Sequence, residues 1–453
     1  MKFIRELRAG ALAAALFCLP AAAQAETLRE ALTSAYLNNP AILSALLNVY
    51  DTAENIVMAK SGKLPNINAT ASVSQGFSNS PFTLDPTVNF GLSYSQRLYD
   101  GSKTDADIEA ARALTELSRY ALQNAEQNVL LAVVQAYMGV IRDTQLVQLR
   151  QENVKFFQAQ VDSANDRLKV GEGTKIDVSQ AEARLAQGTA AYQSAISSLA
   201  TSRASYERYV GHAPKNLTDS FKIGNLLPKS VDAAVDEATA SHPAIRSAKA
   251  GIRAAQAASE SAAAAFMPTL DFIASIGSTP LSPTPPGPNA FSGSVRFALT
   301  VPIYSGGRNG AGMRKANIAQ IKSEVDALAA RDQIKEAVIS SWSSLQNATA
   351  IISSAESGVS AGELALSGVI EQRDVGQLTT LDVLNAQSEL TSVREGLIQA
   401  RSGRIIAAFA LISATGHLTA ADLGLDVPIK TGEGYVSTVE DVWADLRSID
   451  FGE

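Results

Sequence analysis

The chain reads as an α+β membrane protein. Its four β-strands must be pooled with strands of other copies to close a barrel, and long coiled-coil helical hairpins continue from them. Three observations predict this. The sequence is written twice at a near-constant offset, each copy couples two alternating segments to a very long heptad-patterned stretch, and an export signal stands in front.

The first 25 residues are expected to be a secretory signal peptide. Lys2, Arg5 and Arg8 make a basic start, Ala9 to Ala22 is a short apolar run, and Ala23-Gln24-Ala25 is a small-x-small cleavage site. The single cysteine, Cys18, lies inside this segment. Phe17 before it does not suit a lipoprotein signal, so no lipid anchor is expected. A mature chain starting at Glu26 would hold no thiol, which excludes disulfides, thiol catalysis and cysteine metal sites. Losing Lys2, Arg5, Glu6 and Arg8 takes the net charge from −7 to −9. An acidic exported chain is a poor candidate for nucleic-acid binding. No run of eighteen or more apolar residues follows, so no transmembrane helix is expected. A membrane role then points to a β-barrel in a bacterial outer membrane.

The repeat is read from matched pairs. Asn39-Pro40 and His242-Pro243 are 203 apart, as are Pro65 and Pro268. "RLYDGS" (Arg97–Ser102) answers "PIYSGG" (Pro302–Gly307), Tyr137 answers Trp342, and Gly211-His212 answers Gly416-His417, all at an offset of 205. "VGEGTKIDVSQA" from Val170 to Ala181 answers "VGQLTTLDVLNA" from Val375 to Ala386 at the same offset. Each copy runs in the same order: a first helix of about 25 residues ending at a proline, two alternating segments, a very long helix, a glycine turn and a shorter helix.

The alternating segments are expected strands. From Asn66 to Ser78, Ile67, Ala69, Ala71, Val73 and Phe77 alternate with Asn66, Asn68, Thr70, Ser72 and Ser74. Val88, Phe90, Leu92, Tyr94 and Leu98 form the apolar set of the second strand. Leu270, Phe272, Ala274 and Ile276, then Phe291, Val295, Phe297, Leu299, Val301 and Ile303, repeat the pattern in the second copy. Loops at Asn79–Pro86 and Pro280–Asn289 are expected to close the hairpins. A small soluble β-sandwich would share the alternation. The barrel is preferred because the polar faces carry Ser, Thr, Asn and Gly rather than charge, and the strands reach the roughly 9–11 residues of a tilted membrane strand. Four strands cannot close a barrel, and open edges do not survive in lipid. Patterning leaves dimer, trimer and tetramer open, with 8, 12 or 16 strands.

The long helices carry heptads. Val133, Val140, Val147, Val154 and Val161 are spaced by seven, and their counterparts are Val338, Leu345, Ile352, Val359 and Leu366. A continuous helix from Ser102 to Val170 would span roughly 100 Å. A soluble coiled-coil rod explains the heptads equally well, but not why each rod grows out of a strand hairpin. Gly171 and Gly376 suit left-handed helix ends, and Thr174 and Thr379 suit caps for the next helix, with Asp177 and Asp382 three residues on.

Catalysis has no footing. His212, His242 and His417 are scattered, and no carboxylates stand at metal-ligand spacing. No catalytic residue, metal or cofactor is expected. "STVEDVWADLR" (Ser437–Arg447) reads as one amphipathic helix packed on the outside of the helical assembly.

With the duplicated helix–hairpin–helix unit, "RLYDG", "PIYSGG" and the paired "VGxxT…DV" turns in view, the chain resembles the TolC family of outer-membrane efflux channels over essentially all of its mature length. The resemblance implies a homotrimer: a 12-stranded barrel in outer-membrane lipid, four strands per chain, continued by a helical tunnel across the periplasm and closed at its far tip. It implies a channel for tripartite efflux or type I secretion rather than an enzyme. The partners it implies are a periplasmic membrane-fusion adaptor and an inner-membrane pump of the resistance-nodulation-division, ABC or major-facilitator type.

The divisions expected on this basis are a signal peptide (1–25), a first helix (26–64), a strand hairpin (66–99) and a helical hairpin (100–210) with its tip near 171–174. An equatorial linker (211–230) leads to the second copy, with helix 231–267, strand hairpin 269–304 and helical hairpin 305–416, tip near 376–379. A C-terminal equatorial segment (417–453) follows. The adaptor-docking tips are implied at Val170, Gly171, Thr174, Val375, Gly376 and Thr379. The pore entrance is implied at Asp382, with its twin Asp177. Asn385 stands where some members carry a second acid, and Glu172 departs from the family's frequent "VGL". Asp382 is expected either to gate the pore or to cap its helix, and both roles can hold.

Overall fold

The computed structural model describes residues 25–79, 82–218, 226–281 and 290–440. The expected signal peptide and most of the second strand loop lie outside them. Among the described residues thirteen α-helices and β-strands follow in order: α1 (Leu28–Asn38), α2 (Pro40–Ser61), β1 (Asn66–Asn79), β2 (Phe82–Tyr99), α3 (Lys103–Lys169), α4 (Lys175–Val210), α5 (Val231–Ser241), α6 (Pro243–Ala263), β3 (Thr269–Leu281), β4 (Ala290–Thr300), α7 (Arg308–Asp374), α8 (Thr380–Ala414) and α9 (Glu433–Glu440). The chain forms two compact units. One comprises Met1–Asn39, Gln127–Ala234 and Ala337–Val427, the other Pro40–Glu126, Val235–Glu336 and Pro428–Glu453.

The single first helix expected in each copy is two helices. Proline has no N–H to donate and disfavours helical backbone in the residue before it, so Asn39 stands extended before Pro40 (φ −70°, ψ 124°) and α1 ends there. His242 does the same before Pro243 and caps α6, its Nδ1 accepting from the Ala244 N–H at 3.1 Å. Pro40 and Pro243 thus sit at first helical positions, where a missing N–H costs nothing.

In the strand-bearing unit, β1–β2–β3–β4 form one antiparallel sheet in chain order. Register places Ile67 opposite Tyr94, Ala69 opposite Leu92, Leu92 opposite Ile276 and Phe272 opposite Phe297, so apolar side chains of all four strands share one face. Ser93, Ser275 and Ser294 mark the other. Among the described residues nothing covers the apolar face: Val73 is 79 % exposed and Phe297 67 %. The first strand hairpin differs from expectation. β1 runs to Asn79 and β2 begins at Phe82, so Asn79 and Phe82–Pro86 of the stretch read as a loop are strand, and residues 80 and 81 lie outside the described residues. Pro86 pairs with Gln75 of β1, beyond Val88, where β3 pairing ends. Among the described residues no strand pairs with that side of β2 there, and a proline without an N–H is accommodated.

The strand-to-helix junction is built alike in both copies. Gly101 and Ser102 have positive φ (68° and 66°), and so do Gly306 and Gly307 (62° and 85°). A Cβ on Gly101 would lie 2.2 Å from Met267 Cβ, so backbone closeness adds to the conformational demand. Asp100 Oδ2 then accepts from the Thr104 N–H at 2.9 Å, opening α3. Its counterpart Ser305 accepts from the Asn309 N–H at 3.4 Å.

The helical unit is cored by Tyr36, Leu130, Val133, Tyr137, Tyr206, Leu411 and Ile412, all nearly or fully buried. Tyr137 donates its hydroxyl to the Glu26 carbonyl at 2.8 Å, and Tyr206 donates to the Glu26 carboxylate at 2.5 Å. Burial and the Glu26 bond push the Tyr206 hydroxyl pKa far up, so it stays a donor. α8 is long and apolar enough to cross a membrane. Val383, Leu384, Leu390, Leu411 and Ile412 are buried within this unit, which makes α8 a core helix.

Candidate functional site

The two repeated turns are built on the same hydrogen-bond pattern. After α3, Glu172 N–H reaches back to Arg167 O at 2.9 Å and Gly171 N–H to Leu168 O at 3.2 Å, with Gly171 at φ 81°. After α7, Gln377 N–H reaches Gln372 O and Gly376 N–H reaches Arg373 O, both at 2.9 Å, with Gly376 at φ 80°. This paired pattern closes a helix through a left-handed residue. Nothing lies within 4 Å of a Cβ built on either glycine, so the requirement is conformational and not steric.

Each following helix opens with a reciprocal cap. Thr174 N–H donates to Asp177 Oδ2 at 2.9 Å while Asp177 N–H donates to Thr174 Oγ1 at 3.2 Å. Thr379 and Asp382 repeat this at 2.9 and 3.3 Å. The threonine hydroxyl and then the threonine N–H hold each aspartate below the usual carboxylate range, so both are ionised at neutral pH. Asp382 therefore is a cap. The turns also present apolar side chains to the outside: Val170 and Val375 are each 71 % exposed.

Behind the turns, hairpin α3–α4 packs on hairpin α7–α8. Leu384 of α8 is buried with Phe157, Val161, Ala164 and Ala181 of the first hairpin. Around this apolar cluster lie polar bonds between hairpins that sequence reasoning missed. Arg184 of α4 donates to Asn385 Oδ1 of α8 at 2.8 Å. Arg373 of α7, itself buried, donates to Gln160 Oε1 of α3 at 2.8 Å. Asn153 Oδ1 of α3 accepts from Gln387 Nε2 at 3.1 Å and Thr391 Oγ1 at 3.2 Å, and all three residues are buried. One signal could have found them. The 205-residue counterparts of Asn153, Gln160, Arg184, Arg373 and Thr391 are Gly358, Ala365, Glu389, Leu168 and Ala186. The contacts fall where the two copies disagree.

A groove of about 570 Å³ runs between α3, α4 and α8, with Arg150 and Glu395 on its walls. Arg150 Nη2 donates to Glu395 Oε2 at 2.7 Å, and burial raises the Glu395 pKa against the lowering by Arg150. Asp143 is paired with Arg142 at 2.7 Å. These charges pair with one another at partly buried positions. Among the described residues no group of three or more His, Cys, Asp or Glu could hold a metal ion.

The repeat has its counterpart in a known family. The family described as outer membrane efflux protein matches residues 31–212 and again 234–417, one match to each copy. The outer membrane efflux protein BepC of Brucella suis is 38 % identical over 432 residues, covering 95 % of this chain and 94 % of the relative. The outer membrane protein TolC of Vibrio cholerae is 26 % identical over 426 residues, covering 90 % and 95 %. The crystal structure of the Campylobacter jejuni CmeC outer membrane channel superposes with a TM-score of 0.76 at 15 % identity, over 91 % of this chain and 89 % of that one.

Proposed function

Because the chain belongs to the outer membrane efflux protein family, an outer-membrane channel-tunnel, we propose that it works as a homotrimer whose strands close a 12-stranded barrel and whose hairpin tips dock a periplasmic adaptor. The observation that carries this is apolar surface that one chain cannot cover. β1 and β4 are sheet edges, and the apolar face of the sheet is exposed, as a lipid-facing barrel wall requires. On α7, Ile318, Ile321, Val325 and Leu328 make a stripe at spacings of three, four and three, each more than half exposed. A stripe at that spacing fits a neighbouring helix of another copy. Three copies contribute the strand number of the family's barrel, and the same threefold axis would close the helices into a tunnel.

In this reading solutes enter at the tips from an inner-membrane pump of the resistance-nodulation-division, ABC or major-facilitator type and leave through the barrel. The chain supplies a passage and not a reaction. Val170, Gly171, Thr174, Val375, Gly376 and Thr379 form the adaptor-docking surface, supported by the exposed valines beside rigid left-handed turns. Asp382 adds an anionic ring at the entrance while it caps its own helix, supported by its ionised state. The test is the mass of the detergent-extracted outer-membrane protein together with its conductance in planar bilayers. A trimer that conducts is expected; a water-soluble monomer without conductance overturns the proposal.

A further inference from the structure

The polar face of the sheet is charged at the end where the strands lead into helices. Among sheet side chains described, Arg97, Asp271 and Arg296 are charged. Register puts Arg97 opposite Asp271 and Arg296 opposite Ile273, so by the two-residue period all three share the polar face. They also share one end. Arg97 lies two residues before β2 ends, Asp271 two after β3 begins and Arg296 four before β4 ends, on the side where strands lead into helices. Farther along, the polar face carries Ser93, Ser275, Gly277, Ser292 and Ser294, all uncharged.

The collar is not neutral. Arg97 Nε meets Asp271 Oδ1 at 3.0 Å, which balances those two. Arg296 is exposed and has no carboxylate within ion-pair distance among the described residues. In the closed barrel the strand beside β4 is β1 of the next copy. Its sequence, "NINATASVSQGFSN", holds no charged residue, so that strand cannot neutralise Arg296.

We propose that Arg97, Asp271 and Arg296 of the three chains form a positively charged collar at the helix-side mouth of the barrel, which favours passage of solutes bearing carboxylate, sulfonate or phosphate groups. The proposal rests on the trimeric barrel reading. One uncompensated guanidinium per chain gives three in a ring, enclosed by low-dielectric walls that concentrate the field on the lumen. Arginine keeps its charge at any working pH and offers forked donors to such anions. The Arg97–Asp271 pair holds the second guanidinium in place and limits the net charge of the ring.

Reversal potentials of the full-length protein in planar bilayers under a tenfold KCl gradient test this, with the Asp382→Asn background run in parallel so that the entrance ring does not mask the collar. Arg296→Gln is expected to lower the chloride-to-potassium permeability ratio by about twofold or more, Arg296→Lys to retain it, and Asp271→Asn to raise it. An Arg296→Gln channel with wild-type reversal potential in both backgrounds overturns the collar while leaving the channel reading intact. No conductance from the wild-type protein overturns both.

Discussion

The Arg184 guanidinium on α4 and the Asn385 side-chain oxygen on α8 are 2.8 Å apart, so Asn385 is tied to the opposite hairpin. With Arg373 and Gln160 at 2.8 Å, this gives two polar ties between the hairpins close behind the turns. If the tips form the proposed entrance, its dilation would break these ties. Arg184→Ala with Arg373→Leu, the latter installing the counterpart residue of the first copy, is expected to raise single-channel conductance. The Arg184 tie is exposed and is worth less than about 1 kcal/mol, so the Arg184→Ala variant alone should unfold within a few degrees of the parent. Unchanged conductance of the double variant would show that the ties do not hold the entrance closed.

Asn153 is a different case because its partners are buried. Its oxygen accepts from both Gln387 and Thr391, and Asn153→Ala leaves one Gln387 side-chain N–H without its acceptor, while the Thr391 hydroxyl keeps the Gln387 carbonyl at 2.8 Å. An unsatisfied buried polar group costs about 1–3 kcal/mol. The variant should lower the thermal unfolding midpoint measurably. Asn153→Leu with Gln387→Leu and Thr391→Val, which removes the polar set together, should recover part of the loss. Equal midpoints for Asn153→Ala and the wild type would show that water satisfies the site.

What could be read from the sequence followed locality. The strand faces were legible because alternation needs only neighbours: Ile67, Ala69 and Ala71 point one way whatever surrounds them. The caps were legible for the same reason, since Thr174 and Asp177 are three apart. Pro40 and Pro243 were visible but served to fix the repeat, and their effect as helix breaks was missed. The extension of β2 back to Phe82 was hidden because Asn79–Pro86 has a loop's composition, and only the end of β3 pairing explains how Pro86 fits. The ties between hairpins depend on partners more than 200 residues apart, such as Asn153 with Gln387 and Thr391, which no local pattern reports.

Acid should leave the tip caps in place over the range a cell meets. Asp177 and Asp382 have folded-state pKa values below the ordinary 3.8. A depressed carboxylate pKa contributes stability that is present above the unfolded value and lost as pH falls through the folded one, here below about pH 4. Far-ultraviolet circular dichroism of the purified protein should therefore be flat from pH 7 to 5. A transition near pH 5–6 would exclude these two aspartates as its cause.

The twin caps allow gate and cap to be separated. Asp177→Asn and Asp382→Asn remove the same charge from the same local structure. If Asp382 also forms the entrance ring, Asp382→Asn alone should relieve block by multivalent cations in bilayers. Equal block in wild type and Asp382→Asn would reduce Asp382 to a cap.

Gly171→Ala and Gly376→Ala put a side chain on a left-handed backbone with open space around it. The expected cost is about 1 kcal/mol each, from strain alone. Chemical crosslinking to a purified adaptor should weaken more than global stability does, because the neighbouring Val170 and Val375 lose their fixed presentation. A variant that crosslinks as the parent does would remove the turns from the docking surface.

The C-terminal helix is a strap within the strand-bearing unit. It starts at Glu433, four residues before the amphipathic stretch read from Ser437, because Gly432 turns the chain at φ 67° against Val49; the part of that stretch after Glu440 lies outside the described residues. Tyr435 stacks on Tyr50 of α2 with centroids 4.1 Å apart and donates to Glu54 Oε1 at 2.6 Å. Burial, then the Glu54 bond, pushes its pKa up to about 12. Glu440 closes the strap: its carboxylate meets Arg112 Nε at 2.9 Å, and its carbonyl accepts from Lys60 Nζ at 2.8 Å. Those two cations outweigh the burial that raises the Glu440 pKa and leave it lowered. Tyr435→Phe should cost about 1 kcal/mol through the lost hydrogen bond. Tyr435→Ala should cost about 2–3 kcal/mol through the lost stack as well. Limited trypsin digestion checks the placement: Lys60 and Arg112 should resist cleavage in the parent and become cut sites in Tyr435→Ala. If both bonds resist trypsin equally in the two proteins, the helix does not act as a strap.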